Sequence, residues 1–153
     1  MVARAPDVIV ADGATVAWFA QPNQLLAQVR VAHYTVELAR TFTESTMARA
    51  LQLFAGRPIM WVSDSRAIRT YEPGARTVLT DWTLRHKRDV ERVVIVVSPL
   101  HKLPLMGLRV ASIAATMAGI KMSVFTSLAP LRELGVVWPE PEPVAPPRER
   151  AGR

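Results

Sequence analysis

The chain has 153 residues, half of them apolar and 21% charged, which suits one domain with a hydrophobic core of ordinary size. It contains no cysteine, so disulfides, zinc–thiolate sites and thiol nucleophiles are excluded. The formal charge is +6, yet every basic residue except Lys87, Lys102 and Lys121 is a scattered Arg, and the densest cluster, Arg85–Arg92, contains Asp89 and Glu91; nucleic-acid binding is not expected.

Met1–Ala20 places Asp7 and Asp12 where the apolar core of a secretory signal would lie, so none is expected. Residues 1–7 read as a loose start. VIVADGATVAWFA carries two short strand patterns around Asp12-Gly13, a hairpin-favouring pair. QLLAQVRVAHY sets Leu26, Gln28 and Arg30 against Ala27, Val29 and Val31, the period-two pattern of a strand with one wetter face. Thr35 is the expected N-cap of a long helix reaching about Phe54. At 100° per residue, Phe42, Met47, Ala50, Leu51, Leu53 and Phe54 share its inner side. Gly56 and Pro58 end it.

IMWVS follows as a buried strand. Pro73-Gly74 opens a helix with Ala75, Val78, Leu79 and Trp82 at helical spacing, and His86 falls on the inner side one turn after Trp82. Val93–Val97 is continuously apolar and β-branched, as in a strand covered on both faces. Leu103–Ile120 approaches membrane-spanning length, but Arg109 and many Gly, Ser and Ala residues argue for a buried helix instead. Its small residues suit tight packing on a sheet, with a slot for an apolar ligand as the alternative. KMSVFTS is a last strand, and LAPLRELG a closing helix capped by Ser127 or Thr126. From Trp138, WPEPEPVAPPRERAGR reads as an extended, solvated tail. The expected organisation is a single-domain α/β sandwich over residues 8–137, with a mostly parallel central sheet of four to six strands and about four helices, flanked by 1–7 and 138–153.

Four stretches carry a family resemblance: VRVAHYTVELA, GRPIMWVSDS, YEPGARTVLTDW and MAGIKMSVFTSLAPLRELGV. Together they resemble the STAS superfamily, the sulfate-transporter and anti-sigma-factor-antagonist domains, and within it the stand-alone bacterial SpoIIAA-like proteins. The resemblance implies a cytoplasmic, non-enzymatic regulatory module that works through protein–protein contacts. In that family a Ser in an Asp-Ser-Ser-Gly motif is phosphorylated by a partner kinase. This chain has Asp64-Ser65-Arg66-Ala67 there, without the second Ser and the Gly, so Ser65 is a candidate by position alone.

Ligands of open α/β sheets sit outside the carboxyl ends of parallel strands, where Asp64, Ser65, Ser98, His101, Thr126 and Ser127 are expected. A hydrolase built from Asp64, Ser98 and His101 is one alternative, though no Gly-X-Ser-X-Gly elbow is present. His33, His86 and His101 lack metal-ligand spacing, so no metal and no cofactor are expected. Asp64, Ser65, Arg66, Arg69 and Tyr71 form the expected protein-contact surface; Tyr71 with Arg66, Arg69 and Arg76 makes a patch for an anion or a partner, Arg offering bidentate donors and Tyr a flat anchor. Pairing of the arginines with Glu72 and Asp81 is the purely structural alternative. A carrier of a small apolar or lipid ligand, held between the small-residue helix and the sheet, is the rival function. Homo-oligomerisation stays open.

Overall fold

The computed structural model describes residues 8–20 and 22–139. The expected loose start, residues 1–7, and the tail from residue 140 lie outside them. Asp12 starts the first hairpin: its Oδ1 accepts the backbone N–H groups of Ala14 at 3.1 Å and Thr15 at 2.6 Å. Gly13 supplies the positive φ of +85° that the turn requires. The turn joins β1 (Val8–Ala11) to β2 (Thr15–Ala20), which pairs antiparallel with β3 (Gln24–Val29). From β3 onward every neighbour in the sheet is parallel: β5 (Ile59–Asp64), β7 (Val90–Val96) and β8 (Lys121–Phe125) follow in the order β1-β2-β3-β5-β7-β8.

Each crossover therefore steps one strand in the same direction, and right-handed connections put every crossover helix on one face of the sheet. The first begins with α1 (Val36–Thr41), where Thr35 Oγ1 accepts the Leu38 N–H at 3.2 Å, as its capping role predicts. It continues through a π-helical segment, Phe42–Met47, into α2 (Ala48–Leu53). The π turn slips the phase of the helix. Phe42, Met47, Ala50 and Phe54 are buried as expected, but Leu53 rotates out to solvent and Thr43 and Thr46 turn inward. The second crossover is α3 (Pro73–Arg85), with Ala75 and Trp82 buried and His86 stacked on Trp82 at 4.5 Å between ring centroids. The third is α4 (Lys102–Met117).

Two core layers result. On the helix side Phe19, Leu25, Phe42, Met47, Phe54, Ile59, Trp61 and Trp82 pack together. On the other side Trp18, Leu26, Val62, Val94 and Val96 are covered by Leu131 and Val136, with Trp138 meeting Trp18 edge-on at 6.1 Å. The face of β3 that carries Gln28, with Arg30 just beyond the strand, is the wetter one as expected, but Leu26 on it is fully buried under a segment about a hundred residues distant in sequence. The closing element is a 3-10 turn, Ala129–Leu134, with no side-chain cap from Ser127 or Thr126. Its Pro130 and the left-handed Gly135, φ +74°, confine it to six residues, about two 3-10 turns.

Candidate functional site

Two very short strands shape the site. β4 (His33–Tyr34) and β6 (Thr70–Tyr71) form a separate parallel ladder that sets Tyr34 beside Tyr71. The ladder is pinned by Arg69 and Thr70 N–H groups donating to Ala32 O and by Glu72 N–H donating to Tyr34 O. Glu72 Oε2 then accepts the Val36 N–H at 3.0 Å, a carboxylate at the start of α1. Glu72 therefore serves the helix start, and pairs with none of the loop arginines.

The five residues of the expected contact surface separate. Asp64 is only 3% exposed, and its oxygens take Arg66 Nε at 2.8 Å and Nη2 at 2.9 Å. This bidentate bond raises the Arg66 pKa further above its ordinary range. Ser65 is 9% exposed, with Oγ 3.1 Å from Ser63 Oγ and its N–H donating to Val96 O. Arg66 and Arg69 are exposed. Tyr71 is half-buried and turns toward the interior, with the Arg76 guanidinium 6.0 Å from its ring centroid.

What Ser65 and Tyr71 face is a cavity of about 430 Å³ between α3, α4 and the sheet. Phe42, Trp61, Leu79, Ile95, Leu108 and Ala115 are among its walls, and its size lies within the ~300–1,000 Å³ usual for small-molecule sites. It exists because α4 sits high. Of the helix's described side chains only Pro104 is buried, whereas Val110 is 67% and Met117 86% exposed. The expectation of a buried, tightly packed helix is thereby corrected: its Ala and Gly residues are too small to fill the distance to the sheet, and they leave a space instead. The same space explains Ile95, which is only partly buried while Val93, Val94 and Val96 beside it are buried.

Polar groups around the cavity are few. The Tyr34 phenol is held above its ordinary range, chiefly by burial and then by the charge of Asp12. Trp61 Nε1 is buried and has no acceptor among the described residues. Gly107 of α4 marks where two further groups meet: a Cβ there would lie 2.5 Å from Tyr71 Oη and 3.1 Å from Arg76 Nη1. Gly107, Trp61 and Tyr34 were not singled out from the sequence, whereas Arg76 was grouped with the arginines around Tyr71. A lone Gly inside a helix does signal a close approach, and it was the one available clue.

The alternative chemistry does not assemble. Asp64 is occupied by Arg66, Ser98 Oγ accepts the Leu100 N–H at 3.2 Å, and His101 Nδ1 is buried without a partner among the described residues. No side-chain hydrogen bond joins Asp64, Ser98 and His101; the backbone N–H of His101 donates to Ser98 O in the turn before α4. Among the described residues no three of His, Asp and Glu gather as a metal site, and no helix is long and apolar enough to cross a membrane.

No family model matches the chain, and no curated protein matches its sequence. Its fold is similar to that of an uncharacterized DUF3478-family protein from Shewanella loihica PV-4 with a SpoIIAA-like fold, at a TM-score of 0.57 and 19% identity, covering 88% of this chain and 98% of that one. The architecture is therefore SpoIIAA-like, as the sequence resemblance implied.

Proposed function

We propose that the chain is a non-enzymatic regulatory module that acts by binding. The observation that carries this reading is the apolar cavity beneath α4, set against polar side chains that are committed to structural bonds. A small molecule with an apolar body is its ligand, and a protein partner reads the adjoining loop, where Arg66 and Arg69 face outward and Tyr71 belongs to both surfaces. The SpoIIAA-like fold supports the regulatory part of the reading, and a chain free of cysteine suits a reducing cytoplasm. Phosphate on Ser65 would put charge into the cavity wall and oppose an apolar ligand; the intact mass of protein from its native cell tests for it.

The direct experiment purifies the full chain from native lysate and identifies co-purifying proteins and extracted apolar molecules by mass spectrometry. Arg69→Ala with Tyr71→Ala should lose the protein partner while the circular dichroism spectrum is kept. Retention of the same partner by that double variant would return the loop to a structural role.

A further inference from the structure

The polar groups of the cavity are unevenly placed, and this says more about the ligand than its volume does. Tyr71 Oη and Arg76 Nη1 converge on Gly107 in the first half of α4. Neither makes a hydrogen bond or an ion pair among the described residues. Arg76 is exposed, so its charge stands at the mouth of the cavity and can stay hydrated until a ligand arrives. Behind this point the walls become apolar: Leu79, Ile95, Leu108, Ala111 and Ala115. The indole N–H of Trp61, also in the wall, is a further donor without an acceptor among the described residues.

From this arrangement we infer that the ligand is a single-chain amphiphile with an anionic head, its head held by Tyr71 Oη and Arg76 and its chain lying under α4. The inference rests on the reading of the cavity as a ligand site and adds the chemical class. The reasoning is electrostatic as well as steric. An unpaired guanidinium beside a phenol hydroxyl offers charge-assisted donors to a carboxylate or a phosphate. A neutral apolar molecule would leave both donors facing it unused. Gly107 makes the geometry possible, because any larger residue would press on the hydroxyl that the head must reach.

The test is calorimetric titration of the full chain with dodecanoate, dodecyl phosphate and dodecanol. One of the two anions should bind at least about tenfold more tightly than the alcohol, in line with a charge-assisted hydrogen bond. Whichever anion binds more tightly identifies the head as carboxylate or phosphate. Arg76→Gln should abolish the preference while dodecanol affinity stays within twofold, and Tyr71→Phe should reduce it in part. Each methylene removed from the chain should weaken binding about fourfold. Equal binding of the alcohol and the anions would overturn the head-group assignment and leave the apolar site standing. Failure of all three to bind, with the melting temperature unchanged, would overturn both.

Discussion

α1–α2 and α4 are crossover helices on the same face of the same sheet, and they are built in opposite ways. The first is capped by Thr35 and drives Phe42, Met47, Ala50 and Phe54 into the core. α4 starts at His101 with no side-chain cap, and Met106, Val110, Ile113 and Met117 stand in solvent at spacings of four, three and four along one side. Its inner side looks onto the cavity. A helix exposed along one apolar side and held on the other by little more than Pro104, Ala115 and the Ser112 Oγ–Met122 O bond carries little of the stability. Topology demanded a helix between β7 and β8; it did not demand that the helix be packed. The difference separates a folding half of the molecule from a binding half, and substitutions should respect that line.

The largest effect is expected in the sheet. Val94 is completely buried between neighbours on both sides, and Val94→Asp should cost about 3–5 kcal/mol through an unpaired buried charge. Ile95→Asp, one residue on but facing the cavity, should cost clearly less in urea unfolding and instead abolish ligand binding. Equal losses would erase the distinction between the halves. Next comes Phe42→Ala, which removes a ring packed on Trp61 at 5.5 Å and should cost about 3–5 kcal/mol. Met117→Ala, on α4, should remain within about 0.5 kcal/mol of the parent. A large loss in the latter would mean that α4 is held more firmly than its exposure indicates.

Thr35→Ala should remove about 1 kcal/mol by uncapping α1, readable as a fall in the midpoint of denaturant unfolding with an unchanged slope. The smallest effect is one of pH. Tyr34 has a raised pKa in the folded chain, so the unfolded chain loses this proton first. The stabilisation is fully present below about pH 10, the ordinary phenol value, and is lost as pH rises toward the folded value. Tyr34→Phe should therefore flatten the decline of melting temperature above pH 10, and an unaltered decline would assign it to other groups.

How much of this was legible in the sequence follows the same division. The hairpin at Asp12-Gly13 and the cap at Thr35 are local signals that the structure places as read, and the β-branched run from Val93 is the expected strand except that Ile95 faces the cavity instead of a covering helix. Leu53 was misplaced because a π turn changes helical phase without a mark in composition. The wetter face of β3 was legible at Gln28 and Arg30, but the burial of Leu26 on it was not, because its cover, Leu131 to Trp138, comes from the far end of the chain. α4 was taken for a packed helix since small residues favour close approach; nothing local says whether a small side chain meets a neighbour or leaves a gap. The inward turn of Tyr71 depends on the β4–β6 ladder, whose two-residue strands are too short for any periodicity to show.

Hydrogen exchange of the intact chain, with and without dodecanoate, tests the central claim most directly. Amides of 102–117 should exchange well before those of 36–53 in the free protein, because few buried contacts hold α4 to the sheet. Ligand should slow the α4 amides selectively, since binding stabilises only the arrangement that closes over it. Protection of α4 equal to that of α1–α2, and unmoved by ligand, would contradict the account.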